Sequence, residues 1–123
     1  MLSVDIEKLT KENTNFRKVL YTGKNSQLVL MSIPVGKDIG NEVHETIDQI
    51  LFIVGGEAEA IINNTEKKRV EKDSVVFVPA GTWHNFINTG DEDLKLYTVY
   101  SPPAHRDGTV HKTKEEAEKE EKY

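Results

Sequence analysis

The sequence predicts an all-β domain of the antiparallel sandwich or barrel type. Between residues 16 and 100 it consists of short segments rich in Val, Ile, Phe and Tyr, which suit the pleated, half-buried surface of a sheet. Residues that favour turns separate these segments at Gly55-Gly56, Asn63-Asn64 and Pro79-Ala80-Gly81. Many short strands at such spacing are typical of sandwiches and barrels.

Length and charge limit the classes of protein to which this chain could belong. A chain of 123 residues predicts a single domain over 1–123, with a β core at about 16–100 and a wrapping loop and charged tail at 101–123. The net charge of −5 argues against nucleic acid or a membrane surface as a partner. The chain has no cysteine, which excludes disulfides and thiolate ligands.

The apolar segments are too short to cross a bilayer. The longest one runs from Ile50 to Val54, and residues 1–10 carry charges where a secretory signal would be apolar. We therefore expect a cytoplasmic protein.

Nine strands are predicted in chain order, and the Asn63-Asn64 pair predicts a tight hairpin because Asn tolerates a positive φ. The predicted strands are Phe16–Tyr21, Gln27–Ile33, Glu42–His44, Gln49–Val54, Glu57–Ile62, Glu66–Val70, Ser74–Val78, Trp83–Asn88 and Leu94–Tyr100.

Both ends of the chain predict short helical segments. Ser3–Asn13 carries apolar residues three apart, and Thr113–Tyr123 begins with a capping-box pair, Thr113 and Glu116. Glu-before-Lys pairs also favour the second helix, at Glu115 with Lys119 and at Glu118 with Lys122. Since only Ala117 and Tyr123 offer an apolar surface, we expect a solvated tail there.

Four side chains with nitrogen or oxygen donors are candidates for one site. Glu42 and His44 are two residues apart in a segment predicted to be extended, so both should point to the same face. Gln49 opens the next strand and His84 lies on a later one. Imidazole and carboxylate together suit a first-row divalent metal. The alternative is that each His is a surface or hydrogen-bonded residue.

The spacing of these residues resembles the two motifs of the cupin superfamily. The first motif is usually Gly, five residues, His-x-His, three or four residues, Glu, six residues, Gly. The second is usually Gly, five residues, Pro-x-Gly, two residues, His, three residues, Asn. The matching positions of this chain are Gly36, Glu42-Val43-His44, Gln49 and Gly56, followed by Asp73, Pro79-Ala80-Gly81, His84 and Asn88.

The resemblance implies a small, single-domain cupin of the cupin-2 type. Its fold would be an antiparallel jelly-roll β-barrel, also called a double-stranded β-helix, with short terminal helical segments. Asp73 stands where the family has a turn glycine, and since Asp tolerates left-handed backbone we expect the turn to form.

The substitutions within the motifs predict an altered but intact metal site. The common cupin set of three His and one Glu becomes Glu42, His44, Gln49 and His84, which keeps one negative charge. Two His and one carboxylate also form the facial triads that hold Fe(II). We expect one divalent ion, with Fe, Mn, Ni and Zn not distinguished, or alternatively a barrel that binds its ligand without metal. Gln49 either coordinates directly or bonds to a water on the metal.

Three apolar residues are predicted to line the substrate pocket beside this site. Leu51 and Ile53 share the face of Gln49, and Phe86 shares the face of His84, because side chains alternate along a strand. An apolar cavity with a few polar groups is the usual form of a small-molecule site.

The segment from Ser101 to His111 holds two prolines, which predict a loop without strand pairing. It either wraps the barrel or forms a lid in which His105, Arg106 or His111 meets an anionic substrate.

The resemblance implies a metal-dependent enzyme of the dioxygenase, isomerase or lyase-like kind. Its substrate would be a small, oxygen-rich molecule such as a sugar derivative or a dicarbonyl, and Glu42, His44 and His84 would be catalytic. The alternative is a non-catalytic cupin that binds a small ligand. Because open sheet edges invite pairing, and small cupins often pair, we expect a homodimer.

Overall fold

The computed structural model describes residues 1–120, which form two antiparallel sheets and two short helices. The elements in chain order are α1 (Ile6–Glu12), β1 (Arg17–Thr22), β2 (Gln27–Ile33), β3 (Asp48–Gly55), β4 (Glu57–Ile62), β5 (Glu66–Glu71), β6 (Val75–Val78), β7 (His84–Asn88), β8 (Leu94–Ser101), β9 (Val110–His111) and α2 (Lys114–Glu120).

The two sheets pack face to face around one hydrophobic core. The larger sheet has the strand order β6-β3-β8-β2-β1-β9, and the smaller has the order β5-β4-β7. Buried apolar residues of both sheets belong to the same cluster, for example Met31 and Leu96 from the larger sheet and Ala58 and Phe86 from the smaller. The jelly-roll prediction is therefore confirmed, as two facing sheets rather than one closed barrel.

The inner face of the larger sheet changes from polar at one end to apolar at the other. Gln27, Tyr100 and Gln49 face one another across β2, β8 and β3, and all three are buried. Further along the same strands, the inner positions belong to Val29, Leu51 and Leu96 and their apolar neighbours. Polar side chains that can bind a ligand therefore lie at this end of the fold.

Two turns depend on backbone with positive φ. Gly56, between β3 and β4, has a φ of +83°, and a Cβ there would come within 2.9 Å of the Asp93 carbonyl oxygen. Asp73 adopts a φ of 71°, as expected for a residue that replaces a turn glycine. The predicted hairpin at Asn63 and Asn64 also forms, with φ values of 51° and 65°.

The predicted strands match the structure closely, with two differences. Glu42–His44 is not a regular strand; Glu42 forms an isolated bridge to His84 beside β7. The expectation that Ser101–His111 forms no strand is wrong at both ends, because Ser101 is the last residue of β8, opposite Asp48, and Val110 and His111 pair with β1. The two prolines lie too far upstream to block the pairing with β1.

Both terminal helices form. Asp5 caps α1, and Thr113 Oγ1 accepts a hydrogen bond from the Glu116 backbone N–H at 3.2 Å, which is half of the predicted capping box. The Glu116 carboxylate accepts from the Lys112 backbone N–H rather than from Thr113.

Ala117 is buried in the core cluster, so this part of the tail packs instead of lying free in solvent. The predictions for Lys122 and Tyr123 lie outside the described residues. Within residues 1–120, each helix is too short to cross a membrane.

Candidate metal centre

The backbone of β7 brings Glu42 and His84 together. The Glu42 N–H donates to the His84 carbonyl at 2.9 Å, and the His84 N–H donates to the Glu42 carbonyl at 2.9 Å. Residues paired in this way project their side chains to the same face. The His44 carbonyl then accepts from Gly81 N–H at 2.8 Å, which ties this segment to the turn before β7.

The three predicted ligands Glu42, His44 and His84 meet at one point. One ligand atom from each lies within 4.8 Å of the other two. Glu42 Oε1 is 3.5 Å from His44 Nε2 and 3.6 Å from His84 Nε2. Two donors bound to one ion at about 2.1 Å are separated by about 3 to 4 Å, so these distances suit a shared cation.

The His84 ring presents a lone pair toward this point. Its Nδ1 lies 3.0 Å from the Thr82 carbonyl oxygen, which can only accept, so the proton belongs on Nδ1. Its Nε2 is buried and has no hydrogen-bond partner within the described residues, and the same is true of His44 Nε2. Buried nitrogen atoms without a hydrogen bond are uncommon, and a metal ion would satisfy both.

Gln49 has its amide orientation fixed by Thr98. The Thr98 hydroxyl donates to the Ile50 carbonyl at 2.9 Å and must therefore accept from Gln49 Nε2, 3.1 Å away. Gln49 Oε1 then points away from Thr98; it is buried and has no partner in residues 1–120. This oxygen is available to a metal ion or to a water on the metal.

The electrostatics of the centre favour a cation. Burial would raise the pKa of Glu42, but the two imidazole rings of His44 and His84 beside its carboxylate outweigh that effect and lower its pKa to about 2. Glu42 is consequently ionised near neutral pH. One carboxylate with two imidazoles fits a first-row divalent ion by the chemistry of its donors.

The three predicted pocket residues lie deep in the molecule. Leu51, Ile53 and Phe86 have exposed fractions of 0%, 2% and 0% and belong to the hydrophobic core cluster. They share the inner faces as the alternation predicted. Their contact with a ligand stays a prediction.

The environment of the centre includes groups whose roles the sequence left undecided. The Tyr100 ring packs edge-on against His44, with centroids 5.6 Å apart, and against His105 at 5.1 Å. Alternation along β8 placed Tyr100 on the face of Thr98 and Leu96, a signal that distinguishes it from outward-facing Tyr97. The other two candidates of the loop lie elsewhere: Arg106 is exposed, and His111 contacts Glu120 and Arg17.

The fold and the site together define a double-stranded β-helix protein with a His and carboxylate centre. A family model for the Cupin domain matches residues 29–100, which include all four predicted ligands. The chain belongs to the cupin superfamily.

Similar proteins support this membership. The uncharacterized protein YrkC of Bacillus subtilis is 47% identical over 119 residues, which cover 93% of this chain and 64% of YrkC. The crystal structure of BH2720 from Bacillus halodurans is 45% identical with a TM-score of 0.95, covering 96% of this chain and 93% of that one.

Two solved structures of lower identity also have the same fold. KdgF from a Halomonas species is 25% identical with a TM-score of 0.65, covering 74% of this chain and 79% of KdgF. A predicted oxalate decarboxylase from Thermotoga maritima is 28% identical with a TM-score of 0.60, covering 65% of this chain and 69% of its own.

Proposed function

We propose that this cupin is a metal-dependent enzyme acting on a small, oxygen-rich molecule. Glu42, His44 and His84 hold one divalent ion, and Gln49 Oε1 is a fourth donor, direct or through water. The observation that carries the proposal is the pair of buried nitrogens, His44 Nε2 and His84 Nε2, which lack hydrogen bonds within residues 1–120 and stand 3.5 and 3.6 Å from the same ionised carboxylate.

Neighbouring residues orient the donor atoms of the centre. Thr82 holds the His84 ring in the tautomer that presents Nε2, and Thr98 turns Gln49 Oε1 away from itself. Glu42 supplies the negative charge that balances part of the ion's charge. A divalent ion bound there would act as a Lewis acid toward a ligand oxygen.

One of the similar structures suggests a further substrate class. The predicted oxalate decarboxylase of Thermotoga maritima is named for a small dicarboxylate. Small dicarboxylates therefore join sugar derivatives and dicarbonyls as the compounds to test first.

Metal content of variants tests the centre. Protein purified without a metal-chelating column should contain about one ion per chain by elemental analysis. His44→Ala, His84→Ala and Glu42→Gln should each bind metal at least tenfold more weakly, because the first two remove a donor and the third removes the negative charge that faces the ion. Glu45→Gln, in an exposed neighbouring carboxylate, is the matched control and should keep full metal content. Variants that stay folded by circular dichroism and retain the ion would show that the ligand assignment is wrong.

Turnover separates an enzyme from a binding protein. Metal-loaded protein should convert a member of the compound panel, and Glu42→Gln should abolish that conversion. Saturable binding without turnover across the panel would instead support the non-catalytic cupin.

A further inference from the structure

A loop after β8 is anchored to β2 by one buried side chain, Gln27. Gln27 Oε1 accepts from the backbone N–H groups of Ala104 and His105 at 3.1 and 3.0 Å. Gln27 Nε2 donates to the His105 carbonyl at 2.7 Å and to Thr22 Oγ1 at 3.0 Å. All the hydrogen-bonding capacity of this amide is used, so the backbone at His105 has a defined position.

The anchored backbone places the His105 ring beside the candidate metal centre. The ring packs edge-on against Tyr100, whose own ring packs edge-on against His44. Tyr100 is 1% exposed and belongs to the inner polar row with Gln27 and Gln49. His105 therefore lies at the same end of the fold as the candidate metal ligands, and the Tyr100 ring packs between it and His44.

One nitrogen of this ring has no structural use. His105 Nε2 is buried and finds no hydrogen-bond partner among residues 1–120. Burial, followed by the positive charge of Arg17, lowers the pKa of His105 to about 3, so the ring is neutral near pH 7. A neutral imidazole nitrogen donates or accepts one hydrogen bond according to its tautomer. A buried polar atom without a partner costs stability, which a bound ligand would recover.

We propose that His105 is a ligand-binding residue of the Glu42–His44–His84 centre, with its Nε2 hydrogen-bonding a polar group of the ligand other than the atom held at the metal. This inference rests on the proposed metal-dependent function. It specifies a ligand with two separate oxygen functions, one for the ion and one for His105. A ligand with a single oxygen function would satisfy only the metal.

Ligand titrations of the cobalt-loaded protein test the inference. Co(II) serves as the metal because its visible absorption responds to a ligand. The probes are oxalate, malonate and succinate, which carry two carboxylates at increasing separation, and acetate, which carries one. His105→Phe keeps a ring against Tyr100 but removes both nitrogens, whereas His105→Gln restores a polar atom near the position of Nε2. Asp107→Asn, in an exposed residue of the same loop, is the control.

We expect His105→Phe to weaken the best dicarboxylate at least fivefold and to change acetate and Co(II) affinity less than twofold. His105→Gln should recover part of the loss, and Asp107→Asn should resemble the wild type. Equal dicarboxylate affinity in wild type and His105→Phe would overturn the inference, as would failure of every dicarboxylate to bind the cobalt-loaded wild type.

Two further results separate this inference from the proposed function. Weaker Co(II) binding by folded His105→Phe would place His105 within the metal centre and overturn its role toward the ligand. Failure of the wild type to bind Co(II), Zn(II), Mn(II) or Fe(II) would overturn the proposed function, and the inference with it.

Discussion

The two nitrogens of the His84 ring have different surroundings, and the difference defines the chemistry of the centre. Nδ1 is held by the Thr82 carbonyl, while Nε2 is buried without a hydrogen bond to any of residues 1–120. The replacement of His by Glu at position 42, together with that of Glu by Gln at position 49, keeps the single negative charge of the common cupin set. It moves that charge to the position opposite His84, where the carboxylate faces both imidazoles.

The low pKa of His105 predicts a residue-level dependence of stability on pH. Burial and Arg17, with a smaller contribution from His44 and His111, lower its pKa from 6.5 to about 3, and Glu42 opposes them only in part. Between pH 6.5 and 3 the unfolded chain binds a proton at this residue and the folded protein does not. The free energy of unfolding must therefore fall as the pH is lowered through this range. In His105→Gln that contribution is absent.

Denaturant unfolding of metal-free protein at pH 7, 5 and 4 measures this effect. Relative to its value at pH 7, the free energy of unfolding at pH 4 should fall by about 3 kcal/mol more in the wild type than in His105→Gln. Parallel pH dependence in the two proteins would mean that His105 titrates normally in the folded state.

At the level of elements, the loop after β8 depends on the Gln27 side chain. Gln27→Leu would leave the backbone groups of Ala104 and His105 without their partners and should lower the free energy of unfolding by about 2–4 kcal/mol. Hydrogen exchange should show lost protection at the amides of residues 104 and 105. Gln27→Glu keeps an acceptor for both amides and should have an intermediate effect. Full protection in Gln27→Leu would contradict this account of the loop.

The passage from β3 to β4 depends on a glycine for two reasons. Gly56 has a φ of +83°, and a Cβ there would lie 2.9 Å from the Asp93 carbonyl oxygen and 3.1 Å from Leu94 Cα. Gly56→Ala should therefore lower the free energy of unfolding by about 2–4 kcal/mol. Gly36 is the matched control: its φ is +76°, but apart from Gly36 and its two chain neighbours no residue of 1–120 has an atom within 4 Å of the position that a methyl group would take there. Gly36→Ala should cost about 1 kcal/mol, and equal losses in thermal or denaturant unfolding would exclude the steric explanation.

For the whole molecule, one edge strand of each sheet bears on association: β5 resists pairing with a second copy of the chain, whereas β6 favours it. β5 exposes Lys67, Lys68 and Arg69, and charged edge strands resist association. β6 consists only of Val and Phe, with Val75 and Phe77 exposed at 59% and 57%. The helix α1 packs against β3 and β8, which are interior strands of the sheet that has β6 at its edge. The β6 edge is the place where the expected homodimer would bury apolar surface.

Oligomeric state measured by light scattering tests the dimer. The wild type should be a dimer, and Phe77→Lys should shift it to monomer because a charge would be buried at the interface. Tyr21→Lys, at an exposed aromatic on β1, should remain dimeric. A monomeric wild type at micromolar concentration, or a dimer unaffected by Phe77→Lys, would contradict the prediction.

Most of the elements could be predicted because their signals are local. Alternation located β2 and β4 at their observed bounds, and Asn63-Asn64 located the hairpin between β4 and β5. β9 was not predicted because a two-residue strand carries too little pattern; it exists through pairing with β1. The burial of Ala117 likewise depends on where the tail meets the core, which no local signal reports.

From the sequence alone came the all-β class, the strand order along the chain and the identity of the candidate donors, since alternation, turn residues and motif spacing are properties of neighbouring residues. The tertiary structure decided which of those donors meet. The bridge between Glu42 and His84 aligns the carboxylate with both imidazoles, and the Gln27 contacts hold the backbone of His105 at the same end of the fold. These contacts join residues distant along the chain, so their geometry follows from the packing of the sheets and not from any local pattern.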